Sequence, residues 1–183
     1  MVVIAFSGLP GTGSSTAAKL LAQKLGLDYF SVGAYNKRHA KHIEKETEKA
    51  VAMWKMDKKE LKKFHLASDD ISRERAKKGN IVIDGKLAIR MLRGLSDFSV
   101  WIKAPAGVRA KRITGRDKIP MDKAMKILKE KQKLEVENWK RIYGFNYLDQ
   151  EKEADLVIDT SDKKPDEIVK SIINKLRARG LME

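Results

Sequence analysis

The chain has 183 residues, a formal charge of +14 from 39 Lys and Arg against 25 Asp and Glu, and no Cys. That length fits one domain with its own core, and the lack of Cys excludes disulfides and thiolate metal sites while fitting a reducing cytoplasm. No stretch approaches the roughly 20 apolar residues that cross a bilayer, and the short amino-terminal apolar run leads into glycines, so neither a membrane span nor a secretory signal is expected.

The first element, Val2 to Phe6, is apolar and β-rich. It runs straight into Gly8-Leu9-Pro10-Gly11-Thr12-Gly13-Ser14-Ser15, which meets the phosphate-loop pattern G-x-x-x-x-G-K-[ST] everywhere except at Ser14, where the lysine belongs. Glycines at 8, 11 and 13 permit backbone torsions closed to other residues and a close approach to a ligand. Successive N–H groups can then converge on an anion, helped by the positive end of the helix predicted from Ser15 to Leu25. Ser15 stands where a hydroxyl ligates Mg²⁺, and Ser14 offers a hydrogen bond but no charge. Strand, glycine-rich turn and helix stand in the order that cradles a nucleoside triphosphate; the alternative is a glycine-rich turn with no ligand.

Asp28 to Val32 reads as a second short strand, followed by a long charged helical region from about 34 to 78 that Gly79-Asn80 stops. Ile81-Val82-Ile83 is a buried strand ending in Asp84-Gly85, and Lys86 to Arg93 a short helix. Ser99 to Ile102 is the fourth strand, Pro105 to Gly115 a helix, and Asp122 to Tyr143 an amphipathic helix. Leu156 to Ile158 is the last strand, and Pro165 opens the last helix, to about Ala178. Strands alternating with helices predict an α/β fold: a five-stranded parallel sheet with helices on both faces, in one domain without internal repeats. Two inserts, about 34–78 and 114–150, follow the carboxyl ends of strands, where such sheets hold ligands, and are candidate lids.

With these motifs placed, the chain resembles the nucleoside monophosphate kinases, most of all the archaeal-type cytidylate kinases. The resemblance spans nearly the whole length: SGLPGTGSST at 7–16, YFSVGAYNKRHAK at 29–41, KKGNIVIDGKLAIRML at 77–92, WIKAPAGVRAKRITGR at 101–116, WKRIYG at 139–144 and DLVIDTS at 155–161. It implies a doubly wound phosphate-loop kinase sheet, an acceptor-binding insert at 34–78 and a lid at 114–150. It also implies ATP as donor, Mg²⁺, a pyrimidine nucleoside monophosphate (CMP or dCMP) as acceptor, and a loop whose lysine varies within the group.

Carried over residue by residue, the resemblance places the ATP phosphates on Gly8, Leu9, Pro10, Gly11, Thr12, Gly13, Ser14, Ser15 and Thr16. In Arg112-Ile113-Thr114-Gly115-Arg116, it packs Arg112 on the adenine and sets Arg116 on phosphate; a planar guanidinium suits both tasks. The same segment also reads as a basic helix end favoured by the macrodipole. Asp84 would hold metal or orient the acceptor, or would cap the next helix. Ser31, Gly33, Lys37 and Arg38 match the monophosphate segment, and Asp69 an acidic position facing the base. Lys86 stands where the family usually has Arg, as does Asp70. Arg116, Lys86 and Asp84 are the expected catalytic groups, with Ser15 and Asp84 at the metal.

In the second insert Lys131, Lys133, Lys140 and Arg141 are available cations, while Val136 and Asn138 occupy two positions expected to be basic. Arg109 reads as a surface residue, His39 and His42 as surface histidines, and Trp54, Trp101 and Trp139 as core or hinge packing.

Other readings remain: a phosphate-loop kinase with another acceptor, or a weakly active nucleotide-binding or RNA-associated relative, which the charge of +14 and Ser14 motivate. The lysines are spread along the chain, and Lys58-Lys59, Lys62-Lys63 and Lys77-Lys78 read as solvated faces, so nucleic acid is not the favoured partner. A cytoplasmic monomer is expected.

Overall fold

Val3–Gly8 (β1) is buried at every position, the pattern of a strand covered on both faces. In the computed structural model, which describes residues 1–37 and 57–183, β1 is the centre of a five-stranded sheet. Its neighbours are β2 (Asp28–Ser31), β3 (Ile81–Asp84), β4 (Phe98–Lys103) and β5 (Leu156–Asp159), in the order β2-β3-β1-β4-β5, all parallel. The helices are α1 (Ser14–Leu25), α2 (Val32–Lys37), α3 (Lys58–Lys77), α4 (Ala88–Met91), α5 (Ala106–Asp117), α6 (Met121–Tyr143), α7 (Gln150–Glu153) and α8 (Pro165–Ala178).

Strand alternation divides the core. Ile4, Phe6, Val82, Phe98, Val100 and Ile102 face α1 and α8. Val3, Ala5, Ile81, Ile83 and Trp101 face the opposite layer, where Leu92, Trp139 and Tyr147 pack. A smaller cluster of Ala110, Ile113, Ile119, Ala124 and Leu128 joins α5 to α6. Among the described residues no helix is long and apolar enough to cross a membrane.

Several boundaries differ from the sequence reading. β1 continues through Ser7 and Gly8 because these pair with Trp101 and Ile102 of β4. The expected long helix from 34 to 78 is α2, which begins already at Val32, and α3, whose amino end Asp57 caps by accepting from Lys59 N and Glu60 N. Residues 38–56, with Arg38, His39, His42 and Trp54, lie outside the described residues. The helix expected from Lys86 to Arg93 shrinks to α4. The carbonyls of Gly85 and Lys86 are engaged by the Ser7 hydroxyl and the Gln150 amide, which holds these residues in a turn.

Candidate active site

The loop between β1 and α1 takes its shape from two glycines in the left-handed region, Gly11 (φ 79°) and Gly13 (φ 88°). The Thr12 hydroxyl donates to Leu9 O at 2.8 Å and closes the turn. Three cations hold alternate loop carbonyls. Lys86 Nζ donates to Gly8 O at 2.5 Å, Arg109 Nη1 to Pro10 O at 3.2 Å and Arg112 Nη1 to Thr12 O at 2.9 Å. With these carbonyls engaged and no acidic side chain in the first turn of α1, the helix amino terminus is electropositive and suited to an anion.

Because β3 lies beside β1, with Phe6 opposite Asp84, the Asp84 carboxylate comes to rest against the start of α1. The Ser15 hydroxyl donates to Asp84 Oδ2 at 2.5 Å, and Tyr29 Oη and Ser31 Oγ lie 3.4 Å from the same oxygen. Burial pushes the Asp84 carboxyl up from its ordinary range; the Ser15 hydrogen bond and the positive charge of Lys86 pull the other way. Burial, then the Asp84 charge, pushes the Tyr29 phenol up to about 12.

In front of the loop opens a cavity of about 390 Å³, into which Lys37, Lys86, Arg116 and Lys131 converge from four different segments. Burial lowers Lys37 to about 8, with the positive charges of Lys131 and Arg116 adding to it. Lys86 is also lowered to about 8, by burial first, with Glu135 opposing and Lys131 reinforcing. Four cations that repel one another around an open space describe a receptor for a polyanion.

A second, smaller cavity of about 60 Å³ shares Gly33, Asn36, His65 and Lys86 with the first and leads between α2, α3 and α6. Asp69 lines it and accepts from the Tyr143 hydroxyl; burial pushes the Asp69 carboxyl up to about 6, against that hydrogen bond. The His65 ring meets Trp139 edge-on at 4.5 Å, and burial lowers it to about 4. Asn36 Oδ1 is buried there without a hydrogen-bond partner among the described residues.

The model of the cytidylate kinase-like family matches residues 3–162. The chain belongs to that family. It is 37% identical over 170 residues to a cytidylate kinase of Methanocaldococcus jannaschii, covering 87% of this chain and 89% of that protein. A crystal structure of a protein from Eubacterium ventriosum superposes with a TM-score of 0.71 at 19% identity, covering 97% of this chain and 99% of that one. The shikimate kinase of Aquifex aeolicus superposes with a TM-score of 0.57 at 20% identity, covering 98% of this chain and 99% of that one. The fold is that of the phosphate-loop kinases, as the resemblance implied.

Of the residues singled out in the sequence, Gly8, Leu9, Pro10, Gly11, Ser14, Ser15 and Thr16 line the larger cavity together with Gly33, Lys37, Asp84, Lys86 and Arg116. Thr12 and Gly13 complete the loop behind them, and Ser31 reaches the site through Asp84. Asp69 belongs to the smaller cavity. Arg112 is tied to Thr12 and, at 2.9 and 2.5 Å, to Thr160 Oγ1 and O. The helix-cap alternative for Asp84 does not hold: the residue before α4 is Leu87, with no side-chain cap.

Arg109 is not a surface residue. It is 6% exposed, because α6 closes over it and Gln132 Oε1 accepts from it at 3.1 Å. Trp101 and Trp139 are core residues as expected. Lys131 lines the larger cavity, whereas Lys133 pairs with Glu137 on the outer face and Asp70 with Arg73. Sequence reasoning missed Asn36, Glu135 and Tyr143. Asn36 stands one turn after Gly33 and was within reach of that reasoning; Glu135, in a run of charged residues, gave no signal.

Proposed function

We propose that the protein transfers the γ-phosphoryl group of ATP to the phosphate of CMP or dCMP, yielding ADP and the cytidine diphosphate, as a cytoplasmic monomer. The observation that carries this reading is the meeting of Lys37, Lys86, Arg116 and Lys131 with the phosphate loop around one cavity. The relatives named cytidylate kinase supply the base.

Phosphoryl transfer asks a protein to align two nucleotides and to neutralise charge on the moving group. On the donor side, the amides of residues 8–16 and the α1 terminus hold the polyphosphate, and Arg112 packs on the adenine. On the acceptor side, Ser31, Gly33, Lys37 and Arg38 take the monophosphate, and Asp69 faces the base. An acceptor phosphate oxygen attacks the γ-phosphorus, the bond to the β-phosphate oxygen breaks, and Arg116 and Lys86 offset the developing charge. The inserts, about 34–78 and 114–150, close over the substrates and exclude water.

The donor set beside the loop suits Mg²⁺. The Ser15 hydroxyl and the Asp84 carboxylate are hard oxygen donors 2.5 Å apart, and no group of three or more His, Cys, Asp or Glu among the described residues forms a closed cage. Mg²⁺ takes few protein ligands and fills the rest with phosphate oxygens and water. Ser15 and Asp84 would hold it, and when bound it neutralises charge on the phosphate oxygens.

A coupled ADP-release assay against a panel of monophosphates tests this reading. Saturable turnover with CMP or dCMP is the expected result. Turnover confined to another acceptor would overturn the cytidine assignment, and absence of turnover with every acceptor would overturn the kinase. Arg116→Ala should lower turnover by about 10²-fold, read well below the melting temperature because the change also removes a partner of the nearly buried Asp117; an unchanged rate removes Arg116 from the site.

A further inference from the structure

Ser14 leaves the loop without its own ammonium, yet an ammonium is present at the loop. Lys86 leaves the turn after β3, crosses towards β1, and places Nζ 2.5 Å from the carbonyl of Gly8, the first residue of the motif. Its position is over-determined. Its own carbonyl accepts from the Gln150 side-chain amide at 2.8 Å, which fixes the backbone. Its ammonium lies 6.0 Å from the centre of the Tyr147 ring and 3.9 Å from Glu135 Oε2.

Glu135 explains why the ammonium stays there. The residue is 2% exposed on α6, inside a chain of contacts that a surface glutamate would not make. Tyr147 Oη donates to Glu135 Oε2 at 3.2 Å, and Lys131 Nζ approaches Oε1 at 3.9 Å. One buried carboxylate thus faces two lysines, and the trio keeps a net positive charge that it presents to the cavity in front of the loop. A buried carboxylate needs such partners, and a lysine held by one is fixed in position without being neutralised as a donor. Both lysines and Glu135 line the cavity that contains Gly8, Gly11 and Ser15.

We propose that Lys86 takes the place of the missing loop lysine at the donor polyphosphate, entering from β3 instead of from the loop, and that Glu135 is the positioning residue that holds Lys86 and Lys131 there. The proposal rests on the kinase reading above and deepens it: it gives Lys86 to the donor nucleotide, whereas a cation in the turn after β3 could equally have served the acceptor phosphate.

The test is a double-variant cycle read by calorimetry with three probes used separately: MgATP, inorganic tripolyphosphate with Mg²⁺, and CMP. Lys86→Met is expected to weaken MgATP and tripolyphosphate about 10- to 100-fold, as for a lost charge-assisted hydrogen bond, and to leave CMP affinity within about twofold. Adding Ser14→Lys to Lys86→Met is expected to restore most of the loss, a larger gain than Ser14→Lys gives in the parent; this non-additivity is the signature of one task with two possible suppliers. Glu135→Gln is expected to raise KM for ATP without raising KM for CMP, and Glu135→Asp to recover part of the effect.

If Lys86→Met does not fold, Lys86→Gln replaces it in the cycle, keeping a donor for the Gly8 carbonyl without the charge. Unchanged ATP affinity with lost CMP affinity, or loss of both ligands without recovery in the double variant, overturns the proposal and leaves the kinase standing. A wild-type protein that binds neither MgATP nor CMP overturns the kinase reading itself.

Discussion

Ser15 Oγ and Asp84 Oδ2 lie 2.5 Å apart, joining the first turn of α1 to the carboxyl end of β3. Residues 32–80, forty-nine in all, intervene between β2 and β3, but the parallel register sets Asp84 opposite both Phe6 and Ser31. The sheet, not the local sequence, therefore delivers a carboxylate to the one place where an oxygen donor of the loop waits for it. Burial raises the proton affinity of that carboxyl, and Ser15, Lys86, Ser31 and Lys37 work against the rise. A bound divalent cation would reinforce the ionised form in the same direction.

Asp84→Asn separates charge from shape. The amide keeps an oxygen for the Ser15 hydroxyl, so packing is retained, but the negative charge is gone. Turnover should fall on the order of 10²- to 10³-fold at saturating nucleotides. The thermal midpoint without ligand should hold or rise, since a buried charge has been removed. Steady-state rates across a Mg²⁺ titration check the first, and calorimetry the second. A variant with the parent rate would take Asp84 out of the metal site.

Gly8→Ala tests the junction of strand and loop. A Cβ there would lie 2.4 Å from Ile102 O, a backbone atom of β4 that no rotamer change can move aside. β1 and β4 would have to part, at a cost of about 3 kcal/mol in the unliganded protein. Gly13→Ala makes the contrast: nothing lies within 4 Å of its Cβ, and only the positive φ of 88° opposes it, costing roughly 1–2 kcal/mol. Urea midpoints of the two variants should rank in that order.

The central strands were legible because a strand buried on both faces carries an unbroken apolar run, as residues 3–6, 81–83 and 100–102 do. The phosphate loop was legible because glycine spacing is a local, steric signal. Arg109 was not. With its neighbours Lys111, Arg112 and Arg116 it makes a basic helix, and only the approach of α6 and of Pro10 O buries its guanidinium. Glu135 was hidden in the same way, by lying among lysines and glutamates that are solvated. Buried charge of this kind is written in contacts between distant segments, which no window of sequence displays.

Arg109→Met removes the guanidinium that holds Pro10 O and Gln132 Oε1. The carbonyl of a buried proline is left without that donor, a loss of about 1–3 kcal/mol visible in chemical denaturation. The loop also loses one of its three cationic supports, so KM for ATP should rise while KM for CMP stays near the parent value. A variant that is destabilised with both KM values unchanged would confine Arg109 to packing.

The smaller cavity carries two opposed proton linkages, one turn apart on α3. His65 takes a proton near 6.5 when unfolded but only near 4 when folded, because burial against Trp139 disfavours the cation. Between those values the unfolded chain holds more protons, so this term adds stability as pH rises and loses it on acidification. Asp69 gives up its proton near 3.8 when unfolded but near 6 when folded, burial outweighing the Tyr143 hydrogen bond and Arg73. Here the folded chain holds more protons, and stability falls as pH rises from 3.8 to about 6.

At about 1.4 kcal/mol per pH unit, each displacement is worth about 3 kcal/mol, and the two nearly cancel. The parent protein should show a flat contribution from this pocket between pH 4 and 6. Asp69→Asn should expose the rising slope of His65, and His65→Leu the falling slope of Asp69, each by about 3 kcal/mol in urea denaturation of the unliganded protein. Two single variants with parallel pH profiles would show that neither side chain changes its proton affinity on folding.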